Sequence, residues 1–243
     1  MSEEILIRYP RRRFIRWLLR GGIRTAFSTF SDLHIEGSEN LPKTGPALVV
    51  ANHFSFLDPV ALIGITDEPL EFLAGFHNPN APGWSTLFPR LWGVLKVRRG
   101  SSSRDALLAG QQIIRQKGIL SIFPEGGSWA AVLRPPRPGA ALVATRTNAP
   151  IIPVGFDGLL GMFPLNPRKR ARVDVRIGSP IGPYSLDPKG DVRQQLDEIG
   201  HSIMKAIAAL LPANRRGFYS DDPKIREAAR GTEKYPWESM IEE

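Results

Sequence analysis

The sequence predicts an α/β domain built on a mixed, largely parallel sheet covered by helices. Short β-rich runs alternate with helical stretches from residue 33 onward. Apolar residues between 192 and 210 recur at intervals of three and four. Hydrophobic residues make up 42% of the 243 and charged ones 23%, which is enough apolar material for one substantial core. No repeat or composition shift divides residues 33–212, so they are read as one domain. Residues 1–32 and 213–243 are read as peripheral extensions.

Residues 1–32 are basic. Arg8, Arg11, Arg12, Arg13, Arg16, Arg20 and Arg24 fall in an interval that contains no acid. Phe14, Ile15, Leu18 and Leu19 lie on one side of a helical projection, with Arg13, Arg16 and Arg20 on another. Gly21 and Gly22 predict a break into two short helices. A basic amphipathic helix of this kind either lies on an anionic membrane surface or docks on the core with a solvated basic face.

The runs LHIEG, ALVVA, LEFLA, VLKVR, LSIF, IIPVGF and VDVRIG are predicted strands. VDVRIG alternates strictly and should be half-exposed. A helix is predicted after Ser103, closing at Gly118 before the strand LSIF. The clearest helix carries Val192, Leu196, Ile199, Ile203, Ile207 and Leu210 on one face. After Pro212 the chain turns polar, with Tyr235 and Trp237 as its large aromatics, and a loosely attached tail is expected.

Composition removes several classes of function. The chain has no cysteine, so disulfides, thiolate metal sites and a cysteine nucleophile are excluded. Apolar runs such as ALVVA fall far short of the roughly 18 residues of a spanning helix, and no span is expected. The acids of MSEEILIRYP are unlike a signal peptide, so the cytoplasmic side is expected. A formal net charge of +8 points to a polyanionic partner: nucleic acid, anionic lipid or a phosphorylated substrate.

Four segments carry candidate chemistry. ALVVA runs into Asn52 and His53, and Asp58-Pro59 follows. A tight turn there can return the Asp58 carboxylate to Nδ1 of His53, leaving Nε2 as a base. Equally, Asp before Pro is a good helix N-cap, and a loop histidine can simply bond the backbone. One His and one carboxylate are too few ligands for a metal. The strand of ILSIFPEGGSW ends in Glu125 and opens into Gly126 and Gly127, an anion cradle or an ordinary strand-to-helix turn. WGVLKVRRG ends in Arg98 and Arg99, a phosphate fork or a solvated edge. NAPIIPVGFDG is explained by packing alone.

In this order and spacing the four segments resemble the motif set of the 1-acylglycerol-3-phosphate acyltransferase family of glycerolipid acyltransferases, over residues 35–158. NHFSFLD matches its NHxSxxD block, GVLKVRR its glycine-to-arginine strand, FPEGG its FPEG block and APIIPVGFDG its proline-rich strand. The resemblance implies a single glycerolipid-acyltransferase-type domain preceded by amphipathic N-terminal helices at a membrane. It implies His53 as general base with Asp58 as its partner, and Arg99, Glu125 and Gly126 holding the polar head of the acyl acceptor. It also implies a lysolipid acceptor, an acyl-CoA or acyl carrier protein donor, no further cofactor and no nucleic acid. The chain departs from the family's FPEGTRS in having Gly127 and Ser128, so the usual arginine is missing. Arg134 or Arg137, in the basic RPPRPG that follows, is the expected substitute; the alternative is a pocket reshaped by Trp129 for another lysolipid, a glycolipid or a polyprenyl alcohol. Arg98 likewise stands where an acid is usual before Arg99.

A hydrolase would want a serine in a G-x-S-x-G elbow, which is not present. A non-catalytic basic binder accounts for the arginines and leaves the ordered motifs unexplained.

Overall fold

The computed structural model describes residues 7–74, 87–96, 103–128 and 130–232. Seven strands form one sheet: β1 (Ser31–Glu36), β2 (Ala47–Ala51), β3 (Glu71–Ala74), β4 (Leu95–Lys96), β5 (Ile119–Ile122), β6 (Ile151–Asp157) and β7 (Ala171–Ile177). Their order is β1-β7-β6-β2-β5-β3-β4, and neighbours run parallel except β6 with β7. Each strand overlaps one of the runs predicted from sequence; Val97 and Arg98 of VLKVR lie outside the described residues. The described helices are α1 (Arg13–Phe30), α2 (Asp58–Ile65), α3 (Leu87–Trp92), α4 (Ser103–Arg115), α5 (Gly139–Thr147), α6 (Val192–Ala209) and α7 (Pro223–Glu227). None is long and apolar enough to cross a membrane.

β2 is central and buried on both faces. Ala47, Val49 and Ala51 join one core with α1, α2, β7 and Trp92, while Leu48 and Val50 join the other with α5 and α6. Each buried Val or Leu contributes about 1.5–3 kcal/mol, so the strand that leads to His53 is held firmly. β7 alternates as expected: Val173, Val175 and Ile177 are buried, with Arg172, Asp174 and Arg176 between them. Helix α6 starts at Asp191, whose side chain accepts the Gln194 N–H, and buries Ile199, Ile203 and Ile207. Beyond α4 the left-handed residue is Lys117, at φ 61°, rather than Gly118.

The N-terminal segment differs from expectation in two ways. Gly21 and Gly22 do not break it; α1 is continuous. A glycine costs about 1 kcal/mol in a helix, and the anchors on both sides of the pair, Arg16, Ile23 and Phe27, offset this by burial. The second difference is orientation. The side carrying Arg16 is the docked one, and Phe14 (71% exposed), Trp17 (61%) and Leu18 (51%) face outward. The cause is Glu71, fully buried at the start of β3. Its carboxylate accepts from both terminal guanidinium nitrogens of Arg16, at 2.7 and 2.8 Å, and also pairs with Arg11. Arg16 further donates to the Trp92 carbonyl and lies over the Trp92 ring. Arg12 reaches the carbonyls of Arg90 and Leu91, and Arg24 pairs with Asp67.

The C-terminal extension, expected to be loose, is folded as far as residue 232; Tyr235 and Trp237 lie outside the described residues. Leu133 donates to the Arg215 carbonyl (3.0 Å) and accepts from the Phe218 N–H (2.9 Å). Arg215 pairs with Asp157, and the Tyr219 hydroxyl lies 2.8 Å from Nδ1 of His201 on α6. Gly217 has φ +45°, and a Cβ there would sit 2.1 Å from the Leu133 carbonyl oxygen. Backbone pairing through glycine, more than apolar content, attaches this polar segment, and an apolar-periodicity reading misses it.

Candidate active site

The site forms where two neighbouring parallel strands end. Val50 of β2 is in register with Ile122 of β5, so His53 and Glu125, each three residues further on, emerge side by side. Asn52 precedes His53 and is fully buried. Its side-chain nitrogen donates to the Phe156 carbonyl (2.9 Å) and its oxygen accepts the Phe156 N–H (2.7 Å). This imitates one more rung of the β2–β6 ladder and ends the strand at a fixed point.

The chain then turns through 53–57 into α2. Nδ1 of His53 lies 3.0 Å from Oδ2 of Asp58, and the same oxygen accepts the Ser55 N–H at 2.7 Å. The Phe54 N–H also favours the charged carboxylate. Asp58 therefore resolves the choice left by sequence: it turns back to the His53 loop, and Leu57, at the N-cap, makes no side-chain cap. Ser55 closes the turn by accepting the Leu57 N–H. With Nδ1–H directed at Asp58, Nε2 is the ring atom left for proton transfer. Phe123 stacks on the imidazole with centroids 4.4 Å apart, and the histidine side chain is 14% exposed.

Glu125 approaches from the other side. Its Oε1 accepts the His53 main-chain N–H at 2.6 Å. Gly126, at φ 81°, makes the turn after it and gives its N–H to Phe123 O, so that amide serves the turn rather than an anion. Burial pushes the Glu125 carboxyl up to about 7, opposed chiefly by the charge of Arg134. Burial likewise raises the Asp58 carboxyl, opposed by its bonds to His53 and to the Ser55 and Phe54 N–H groups.

Arg134 departs from its expected role. Its guanidinium is buried, with Nε 3.3 Å from Oε2 of Glu125, and it bonds the Gly127 carbonyl. A side chain 1% exposed and held this way faces the inside of the turn. Arg137 gives its main-chain N–H to Pro124 O (2.7 Å), and the residue lines a cavity of about 440 Å³ with Asp191, Arg193 and Asp197 at the start of α6. No residue of the NHFSFLD or FPEGG segments lines that cavity. Arg99 and Trp129 lie outside the described residues.

The structure thus brings His53, Asp58, Glu125, Gly126 and Gly127 together at one sheet edge, with Arg134 beneath them. Sequence reasoning assigned no role to Asn52, Ser55 or Phe123, although the first two stand inside the NHFSFLD block and Phe123 opens FPEGG. Among the described residues no group of three or more His, Asp or Glu is arranged to hold a metal ion. A neutral imidazole oriented by a buried carboxylate can take a proton from a hydroxyl and return it to a leaving group.

Comparison with known proteins bears on the family. Residues 32–157 match the family model described as Acyltransferase. A chloroplastic 1-acyl-sn-glycerol-3-phosphate acyltransferase of Brassica napus is 28% identical over 160 residues, covering 63% of this chain and 45% of the relative. A probable 1-acyl-sn-glycerol-3-phosphate acyltransferase of Mycoplasma genitalium is 31% identical over 228 residues, covering 87% of this chain and 81% of that one. The chain spans about half the length of the plant relatives it matches, with 45% and 49% of them covered. The crystal structure of the 1-acyl-sn-glycerophosphate acyltransferase PlsC from Thermotoga maritima shares the fold, with a TM-score of 0.56 at 23% identity and 80% of each chain covered. With the motif blocks, the sheet-edge site and these likenesses agreeing, the chain belongs to the acyltransferase family typified by the 1-acyl-sn-glycerol-3-phosphate acyltransferases.

Proposed function

We propose that this protein is an O-acyltransferase of phospholipid biosynthesis that moves a fatty acyl group from a thioester, of coenzyme A or an acyl carrier protein, to the hydroxyl of a lysophosphatidate-like lipid. The observation that carries the proposal is the buried 3.0 Å pair between Nδ1 of His53 and Asp58 at the end of β2. An alcohol is too weak an acid to attack a thioester at neutral pH without a positioned base. In the proposed step Nε2 of His53 takes the acceptor's hydroxyl proton while the oxygen bonds to the thioester carbonyl carbon. The C–S bond then breaks, and the thiolate receives the proton from the imidazolium. The products are an ester and a free thiol, and no cofactor beyond the thioester co-substrate enters this scheme.

The activity in the names of the relatives, 1-acyl-sn-glycerol-3-phosphate acyltransferase, supports lysophosphatidate as acceptor. The burial of Arg134 favours a second reading, in which another lysolipid, a glycolipid or a polyprenyl alcohol is acylated. An anionic membrane is the proposed partner, with the protein peripheral on the cytoplasmic face. Supporting this are Phe14, Trp17 and Leu18 on α1 and Leu87 and Leu91 on α3, all exposed, beside the exposed Arg13. Such a face suits insertion at a lipid interface.

Thiol release from palmitoyl-CoA, with oleoyl lysophosphatidate or an uncharged alcohol in mixed vesicles, tests the assignment when products are read by mass spectrometry. His53→Ala should lower turnover by about 10² to 10⁴ with the fold intact. Parental turnover in that variant refutes the proposed base. A parent that ignores lysophosphatidate but acylates the alcohol refutes the phosphate-bearing acceptor alone.

A further inference from the structure

We propose that Arg134 is a positioning residue: from beneath the FPEGG turn it orients the Glu125 carboxylate and opposes its protonation, and Glu125 in turn holds the main chain of His53. The inference rests on the reading of His53 as the base. It assigns to a side chain outside the motif blocks the task of fixing that base from the side opposite Asp58.

Four observations converge on it. The Arg134 guanidinium and the Glu125 carboxylate are both essentially excluded from solvent, with Nε and Oε2 3.3 Å apart. Oε1 of the same carboxylate accepts the His53 N–H at 2.6 Å, a short, charge-assisted bond. The guanidinium also bonds the Gly127 carbonyl, tying both ends of the Glu125-Gly126-Gly127 turn to one cation. The segment that carries Arg134 is itself clamped. Leu133 is paired with Arg215 and Phe218 of the C-terminal extension, and the Arg137 N–H reaches Pro124 O.

Charge explains why a cation is needed there. Glu125 is faced by Asp58 from α2, by the His53 N–H from the end of β2, by Tyr219 from the C-terminal extension and by Arg134. Without Arg134, two buried carboxylates would flank one imidazole, and one of them would take up a proton. With Arg134, and with Glu125 ionised, the group of Asp58, Glu125, Arg134 and His53 becomes neutral when His53 is protonated. That is the charge state proton abstraction creates, so the surroundings favour it without rearranging. This chain lacks the arginine usual in FPEGTRS, and Arg134 supplies a cation to the same turn from eight residues beyond Gly126.

The test compares Arg134→Gln, Arg134→Lys, Glu125→Gln and the double Glu125→Gln/Arg134→Gln variant with the parent and His53→Ala. Turnover of palmitoyl-CoA with oleoyl lysophosphatidate is measured from pH 5.5 to 9, about as wide as the transition requires. Amide hydrogen exchange across residues 49–58 is followed in parallel. For Arg134→Gln, kcat should fall about 10- to 100-fold while KM for either probe stays within about threefold. Its acidic limb should move to higher pH, because the charge that opposes Glu125 protonation is gone. The His53 amide should exchange faster, and Arg134→Lys should recover most of both effects. The double variant, with a neutral pair, should be no slower than Glu125→Gln alone, since the arginine acts through that carboxylate. If Arg134→Gln does not fold, Arg134→Lys and the double variant decide by the same readouts.

A raised KM for lysophosphatidate, with kcat, pH profile and exchange unchanged, would make Arg134 an acceptor ligand and overturn the inference. Parental behaviour throughout would overturn it as well. Parental turnover in His53→Ala would instead defeat the base assignment, and the exchange measurement would still decide whether Arg134 fixes the His53 main chain.

Discussion

The Asp58→Asn substitution tests the proposed His53 partnership while leaving size and shape almost unchanged. The native carboxylate serves two donors through one oxygen, Oδ2: Nδ1–H of His53 and the Ser55 N–H. An amide has one acceptor oxygen, so if the introduced asparagine turns its NH₂ group to the Oδ2 position, both buried donors are left facing it. Leaving a buried donor unsatisfied costs about 1–3 kcal/mol. In a chain of 243 residues this lowers Tm by about 2–4 °C for each kcal/mol. Turnover should suffer separately. If the amide oxygen keeps the Nδ1–H bond, the imidazolium loses a charged partner and retains a neutral one, a difference of about 1–2 kcal/mol or roughly tenfold. If the NH₂ group turns toward Nδ1, the proton moves to Nε2 and the base is lost, at a cost of about 10⁴ in comparable His–Asp pairs. The expected result is a kcat at least about tenfold below the parent with KM nearly unchanged, read by thiol release beside a melting curve. A variant within twofold of the parent, at whatever stability, would refute the catalytic partnership. Asp58 would then be a turn-forming residue only.

The other predictions concern what holds the site in place. Changing Phe14, Trp17 and Leu18 together to Ser should release the protein from anionic vesicles in a sedimentation assay without altering its circular dichroism; unchanged sedimentation would exclude α1 as the attachment face. Several arginines in this stretch are engaged within the protein, so the salt-sensitive part of binding should be smaller than about 1 kcal/mol for each of the seven would give. Glu71→Ala should destabilise the fold by about 3–5 kcal/mol, because Arg16 would be left buried and unpaired. A denaturant midpoint equal to the parent's would show that the network contributes nothing. Stability should also follow Glu125: its raised pKa favours the folded state most below the ordinary carboxyl value of 4.5. That contribution is lost as pH rises through about 7, which a pH series of melting curves reads against Glu125→Gln.

Local sequence was enough to locate the strands, to set His53 and Glu125 at strand ends and the proline-rich segment in a strand, and to point to the family those blocks belong to. Strand runs are set by side-chain period, and the motifs are contiguous in the chain, so neither needs the rest of the fold to be read. Orientation and pairing were left to three-dimensional packing. Whether Asp58 capped a helix or faced His53 depended on a turn whose N–H groups collect on the carboxylate. The arginine face of α1 looked solvent-bound in projection, because Glu71, its buried partner, lies some fifty residues downstream. Arg134 looked available for a phosphate for the same reason, since its pairing with Glu125 exists only once the 130–138 segment folds beneath the turn. The C-terminal extension looked loose because it is attached by backbone hydrogen bonds and a left-handed glycine, which leave little trace in hydrophobic periodicity. A charge read from sequence has a sign and a position along the chain; folding decides whether water or another charge answers it.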